Sequence, residues 1–249
     1  MADLHTRETD MGTGSEQMFS ASQGEYTVAD GPKLQQRHKA GPQRLFRYRV
    51  VKRAMDVLLI LLCSPVLLLV TAVIAAAIRI SGPGPVFFTH RRIRCHGTFF
   101  TMWKFRTMCV NSAEVLKSSL AADPHAQAEW LQSHKLKNDP RITRVGAFLR
   151  RTSLDELPQM WNVLMGTMSL VGPRPIVAAE VEKYGEYFAD YCMVTPGVTG
   201  LWQVSGRSHL TYDQRIRLDR AYVQNWSLTN DMIILAKTLA SVVKQHGAF

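Results

Sequence analysis

The residues best suited to chemistry lie in RRTSLDELPQMWNVLMGTMSLVGPRP, Arg150 to Pro175. Asp155 and Glu156 are adjacent carboxylates that follow Arg150 and Arg151. Ser153 with Glu156 fits a capping box, with Ser153 as the cap and Glu156 at the third helical position. In that register Pro158 lacks an N–H that would have bonded Leu154. With Asp155 as the cap, Pro158 falls where no bond is owed. Either register puts both carboxylates in the first turn of a helix, where free N–H groups and the helix dipole favour ionised carboxylates and bound anions. An ionised aspartate can attack phosphorus, and a neighbouring glutamate can help hold a divalent cation that neutralises phosphates. The plain alternative is a capped helix start with surface ion pairs.

Basic residues in stiff or small-residue loops accompany the acid pair. Arg174 sits between Pro173 and Pro175, which fix the backbone that aims its guanidinium. Arg207 lies in Ser205-Gly206-Arg207-Ser208, shortly after Thr195-Pro196-Gly197-Val198-Thr199-Gly200. Arginine suits phosphate because its planar fork binds two oxygens at once. Upstream, TFFTMWKFRTM alternates so that Lys104 and Arg106 share a strand face, able to meet one phosphate together; a solvated strand face is the competing explanation. No Walker loop and no G-x-G-x-x-G occurs, so nucleotide binding by those routes is not supported.

These residues need elements to carry them. VFFTHRRIR and TFFTMWKFRTM, separated by Cys95-His96-Gly97, predict a β-hairpin. Residues Ser112 to Leu136 read as a polar helix or two short ones, broken near Asp123-Pro124. Thr229 to His246 predicts a helix capped by Thr229, Asn230 or Asp231. Met232, Leu235, Ala236, Leu239, Val242 and Val243 would form its apolar face, packed in a core or laid on a membrane surface. Four scattered cysteines with no C-x-x-C pair read as free thiols.

The strongest organising signal is Val57 to Ile78, 22 residues without a charge. As a helix it spans roughly 33 Å, the thickness of a bilayer's hydrocarbon core. Ser64-Pro65 interrupts it, so a kink or break is expected there, with the Ser64 hydroxyl returned to the freed carbonyls. Arg44, Arg47, Arg49, Lys52 and Arg53 precede the segment; Arg79, Arg91, Arg92 and Arg94 follow it. Basic flanks prefer the cytoplasmic side, and both ends obey that rule only if the helix enters and returns to the same face. The net charge of +10 requires polyanionic partners. An anionic lipid surface and a phosphorylated substrate fit: the flanks from Arg44 to Arg53 and from Arg79 to Arg94 are expected to face headgroups, and Lys104, Arg150, Arg174 and Arg207 a diphosphate. Nucleic acid is set aside, because no reading motif occurs and the apolar segment would go unexplained.

At KRAMD, Ser64-Pro65, KFRTM (104–108), DPRITRVGAFLRRTSLDELPQ (139–159), NVLMGTMSLVGPRP (162–175) and PGVTGLWQVSGRS (196–208) the chain resembles the bacterial sugar transferases, the monotopic phosphoglycosyl transferases that begin glycan assembly on a polyprenyl phosphate. The resemblance runs from Lys52 to the C-terminus. It implies an α+β, mainly α, monotopic membrane protein at the cytoplasmic face of the bacterial inner membrane. Three parts are expected: a flexible tail (1–43), a basic juxtamembrane segment with a Ser-Pro-kinked re-entrant helix (44–81), and a catalytic domain (82–249) with a β-hairpin and amphipathic interfacial helices. It further implies that Asp155, paired with Glu156, attacks the sugar-bound phosphate of a UDP-sugar and passes the sugar phosphate to undecaprenyl phosphate. Mg²⁺ would sit at Asp155 and Glu156. Lys104, Arg106, Arg150, Arg174, Arg207 and Asp219 are the candidate phosphate or nucleotide contacts. Galactose is the favoured sugar, with glucose or an acetamido sugar as alternatives. A homo-oligomer and other polysaccharide assembly proteins are the further partners. A non-catalytic membrane-anchored scaffold is the rival from another class.

Overall fold

A computed structural model describes residues 47–94, 97–133, 135–206 and 210–243. The tail (1–43), Arg44 and Arg207 lie outside them. After a π-helical turn, Arg47–Lys52, the chain forms α1 (Arg53–Ile80). The hairpin follows as β1 (Phe87–Ile93) and β2 (Phe99–Phe105), antiparallel with Arg92 opposite Phe100 and Phe88 opposite Lys104. Next come α2 (Ser112–Ala122), α3 (Pro124–Ser133), α4 (Arg144–Thr152) and α5 (Gln159–Leu164). Then β3 (Ser169–Val171), α6 (Val181–Tyr184), α7 (Phe188–Tyr191), β4 (Gly197–Thr199), α8 (Leu201–Ser205), α9 (Tyr212–Gln224) and α10 (Leu228–Val243) complete it. β3 and β4 pair in parallel. Among the described residues the protein is mainly helical, with two small sheets and one long apolar helix.

Helix α1 is long and apolar enough to cross a membrane, and its most apolar stretch is only 11% buried. Leu58, Leu61, Leu62, Val66, Leu68, Leu69 and Val73 point outward, an apolar surface far too large for water. The chain stays helical through Pro65, so of the two expected outcomes the break is absent and a kink is the one compatible with the structure. The reason is local: a residue-65 N–H would have bonded the Leu61 carbonyl, and Ser64 Oγ donates to that oxygen at 2.7 Å.

Both ends of α1 are fastened to the rest of the protein. Lys52 Nζ meets Asp231 Oδ2 at 2.7 Å, with both side chains buried. Tyr222 Oη and Trp226 Nε1 donate to the same carboxylate at 2.9 and 3.0 Å. Arg53 donates to the last carbonyls of α5, Val163 and Leu164, and Ser169 Oγ donates to Asp56 at 2.6 Å. Ile60 joins a core with Phe100, Met102, Val163, Leu170, Tyr222 and Ile234. At the other end Ile74 and Ile78 pack on Phe105 and Leu149, with Leu154 and Leu157 against them.

This corrects the reading of the basic flanks. Lys52 pairs internally, Arg53 caps a helix, Arg92 is partly buried beside Glu180, and Arg94 donates to the Gly166 carbonyl. These charges face protein groups, not headgroups.

The break at Asp123-Pro124 falls where expected, with Pro124 opening α3 at a position that owes no N–H. Helix α10 turns much of its expected apolar face outward, as for a helix laid on a surface rather than packed in a core. It buries Asp231 and Ile234 and leaves Met232, Ile233 and Leu239 exposed, because the Lys52–Asp231 pair sets its phase. Cys63, Cys109 and Cys192 are free thiols.

Candidate active site

Asp155 and Glu156 lie on a 3₁₀ turn, Leu154–Glu156, between α4 and α5. The capping box does not form. Ser153 instead ends α4 in the left-handed conformation, φ 58°, with its N–H on the Arg150 carbonyl at 3.2 Å. It is the one non-glycine residue with positive φ among the described residues, a strained backbone two residues before Asp155. The turn is held from below by Leu154 and Leu157 on the Ile78–Phe105–Leu149 cluster. The start of α4 is fixed too. Thr143 Oγ1 accepts from Gly146 N at 2.9 Å, and a Cβ on Gly146 would lie 2.0 Å from the Thr107 carbonyl oxygen, so only glycine permits this approach.

Strand β2 brings Lys104 to the turn. Its Nζ is 2.7 Å from Glu156 Oε1 and 3.5 Å from Asp155 Oδ2. Asn162, buried on α5, fixes this relation by accepting from Trp103 N at 3.0 Å and donating to the Thr101 carbonyl at 2.7 Å. The strand carrying the lysine is thus clipped to the helix that follows the carboxylates. Burial pushes the Asp155 carboxyl up from its ordinary value, and Glu156 adds to this; Lys104 and Arg150 oppose it. The acid is held in a cost of burial that neighbouring cations only partly offset, a pattern typical of functional carboxylates.

The other candidates separate. Arg150, in the last turn of α4, donates from Nε to Thr107 Oγ1 at 3.0 Å and acts electrostatically on Asp155. Arg174 is exposed between buried Pro173 and Pro175 and forms no hydrogen bond or ion pair among the described residues; its guanidinium lies 5.9 Å from the Trp202 ring centroid. Arg106 does not join Lys104. Strand β2 ends at Phe105, and the Arg106 guanidinium donates to the Pro83 and Gly82 carbonyls, capping the loop after α1.

Asp219 is buried on α9, where it accepts from Tyr184 Oη at 2.8 Å. Burial pushes its pKa up to about 7. It is no surface contact for a nucleotide. Because its folded pKa is raised, its stabilising contribution is fullest below the unfolded value near 3.8 and is lost as pH rises through about 7. Asp219→Asn should therefore gain stability over the parent between pH 4 and 7, by at most about 1.4 kcal/mol per pH unit, and hold that margin above. Parallel unfolding curves across this window would contradict the assignment.

A pocket beside the acid pair is lined by Lys104, Glu156, Gln159, Arg92, Arg174 and Gln203, among others. Arg92 and Gln159 were missed as site residues. The hairpin register gives the signal for Arg92: Phe88, His90 and Arg92 share the face of Lys104 and Met102.

The acid pair also bears on metal binding. No group of three or more His, Cys, Asp or Glu side chains that could hold a metal occurs among the described residues. Magnesium, however, is often held by one or two carboxylates together with substrate phosphates, and Asp155 with Glu156 is a donor set of that kind.

The site thus joins a carboxylate pair sharing a lysine, an exposed arginine beside the same pocket, and a turn braced against the end of a long apolar helix. The model of the family described as bacterial sugar transferase matches residues 47–245. Similar proteins include the undecaprenyl-phosphate galactose phosphotransferase of Salmonella typhimurium, 57% identical over 166 residues, covering 67% of this chain and 35% of that protein. The exopolysaccharide production protein ExoY of Rhizobium meliloti is 46% identical over 204 residues, covering 80% of this chain and 88% of that protein. The UDP-glucose:undecaprenyl-phosphate glucose-1-phosphate transferase of Escherichia coli is 39% identical over 203 residues, 77% of this chain and 40% of that protein. The chain thus spans less than half the length of several relatives it matches and most of the length of others. It belongs to the bacterial sugar transferase family.

Proposed function

We propose that the protein transfers a sugar phosphate, with galactose as the sugar, from a UDP-sugar to undecaprenyl phosphate as the first step of exopolysaccharide assembly. The observation that carries this reading is the Asp155–Glu156–Lys104 cluster braced against the end of α1. Phosphate chemistry and a lipid-bound acceptor are both served by that placement. The names of the relatives from Salmonella typhimurium and Rhizobium meliloti, one a galactose phosphotransferase on undecaprenyl phosphate and one an exopolysaccharide production protein, support the same substrates and product class.

Asp155 attacks the phosphorus that bears the sugar. The bond from that phosphorus to the bridging oxygen breaks, its electron pair stays with the nucleotide, and UMP leaves. A phosphate oxygen of the polyprenyl acceptor then attacks the same phosphorus and frees the Asp155 carboxylate. Lys104 screens the approach of the anionic donor to the carboxylates, and Glu156 holds Lys104 in place. Mg²⁺ bound by Asp155 and Glu156 would supply further neutralisation of the diphosphate.

The protein is placed at the cytoplasmic face of the inner membrane with α1 re-entrant. Both ends of α1 pack on the same body, through Lys52–Asp231 and through Ile78 on Phe105 and Leu149, which favours a helix that dips and returns over one that leaves on the far side. Exposed Trp161, Met165, Met232, Ile233 and Leu239 suit α5 and α10 to the interface.

Isolated membranes given labelled UDP-galactose, UDP-glucose or an acetamido-sugar nucleotide should move label to polyprenyl phosphate from UDP-galactose. No transfer from any donor would sink the enzymatic reading in favour of the scaffold. In the same membranes, cysteines engineered before Lys52 and after Pro85 should react from one side only; labelling from opposite sides would overturn the re-entrant helix.

A further inference from the structure

Two glutamines line the pocket beside the acid pair. Gln203 is engaged, its amide donating to the Val198 carbonyl at 3.0 Å. Gln159, the first residue of α5, is not. It is only 2% exposed, yet its side-chain amide has no hydrogen-bond partner among the described residues. A buried amide left without partners destabilises the fold, and Met102, buried on the same pocket wall, offers none. The groups that the amide lacks are therefore those of a molecule entering the pocket.

Position and chemistry narrow that molecule to one part of a sugar nucleotide. Gln159 follows Asp155 by four residues and Glu156 by three, and Glu156 lines the same pocket. In the transfer from a UDP-sugar set out above, Asp155 bonds to the phosphorus that carries the sugar, so the sugar ring is one oxygen away from that atom. The base lies beyond a second phosphate and a ribose. Anionic phosphoryl oxygens already have Lys104 on the pocket wall, and its charge-assisted bonds are stronger than those of a neutral amide. A carboxamide also both donates and accepts. A phosphoryl oxygen only accepts and would leave Oε1 unsatisfied. Two neighbouring hydroxyls answer both ends, one accepting from Nε2 and the other donating to Oε1.

We propose that Gln159 holds the sugar of the donor, its amide bridging the hydroxyl on the carbon next to the anomeric carbon and the hydroxyl that follows it. The contact fixes the ring relative to the phosphorus that Asp155 attacks and leaves the nucleotide to other groups. It rests on the UDP-sugar reading above and adds to it the residue that touches the sugar.

Binding to the detergent-purified full chain tests the contact without requiring chemistry. The parent should bind UDP-galactose about tenfold or more tighter than UDP-2-deoxygalactose, and Gln159→Met, which keeps the length of the side chain, should bind the two alike within about twofold. UMP, which lacks the sugar, should bind parent and variant alike within about twofold. Because methionine replaces an amide that the fold leaves unpartnered, the unfolding midpoint of the ligand-free variant should rise or stay within about 2 °C of the parent's. A larger fall would mean that the amide has a partner within the fold, and overturns the contact. Equal binding of the two UDP-sugars by the parent, an equal penalty for the missing hydroxyl in parent and variant, or a matching loss of UMP binding in the variant overturns it as well, even in a protein that transfers sugar phosphate. A penalty that Gln159→Met abolishes, in a protein that transfers sugar phosphate from no donor, upholds the contact and refutes the transferase reading instead.

Discussion

Replacing Asp155 with Asn is expected to lower sugar-phosphate transfer by about four orders of magnitude or more, since a nucleophile that forms the covalent bond has no substitute. Asparagine keeps the size and an acceptor oxygen for Lys104, which stays paired with Glu156 at 2.7 Å. The fold should therefore survive, and the sign of the stability change follows from the carboxyl's environment. Burial raises the Asp155 pKa above its ordinary value of 3.8, so the ionised form is disfavoured in the folded state. The favourable contribution of the protonated carboxyl is complete below the unfolded pKa and disappears as pH rises through the folded one. At neutral pH the charge is a cost, and the variant should unfold no earlier than the parent while being inactive. Transfer by the parent should rise with pH through the raised pKa of Asp155. A variant retaining even a tenth of the activity would remove Asp155 from the chemistry; one that is inactive only because it unfolds would leave a lowered midpoint as its signature.

Lys52→Met should produce the largest loss of stability. Asp231 is fully buried, and Lys52 is its one cationic partner among the described residues, with Tyr222 and Trp226 donating to it as well. Removing one member of a buried pair strands the other charge at a cost of about 3–5 kcal/mol. For a chain of this size that is a fall of about 10 °C in the unfolding midpoint. Lys52→Met with Asp231→Asn should recover much of it, because no charge is then left unpaired and the amide oxygen still accepts from one of the two donors, Tyr222 or Trp226. A single-variant midpoint within about 2 °C of the parent would mean that the pair does not anchor α1.

The comparison of these two residues shows what was legible in the sequence. The acid pair, Lys104, Arg150 and the hairpin are local patterns, and period-two alternation and motif spacing place them. The hairpin register even carries Arg92 to the site once strand faces are followed. Ser153 misleads because it is equally suited to open one helix or, in a left-handed conformation, to end another; Pro158 then starts α5 without a side-chain cap. Lys52 and Arg53 misread as headgroup contacts because their partners, Asp231 and the end of α5, lie more than a hundred residues away. That same distant pair sets the phase of α10 and so decides between the core and surface placements that its apolar stripe leaves open. Arg106 reads as a substrate contact only if β2 continues, whereas the strand stops at Phe105 and the arginine turns to carbonyls. Long-range contacts, invisible to any local period, account for Lys52, Arg53 and α10.

The central claim is that Asp155 carries the sugar phosphate covalently. Purified protein incubated with UDP-sugar and Mg²⁺ but no polyprenyl phosphate, then quenched and digested, should yield the peptide containing Asp155 with the added mass of one sugar phosphate, together with an equal amount of UMP. The adduct should vanish when acceptor is added and be missing in Asp155→Asn. An unmodified peptide, with UMP appearing only when the acceptor is present, would mean direct transfer from donor to lipid and would contradict the account.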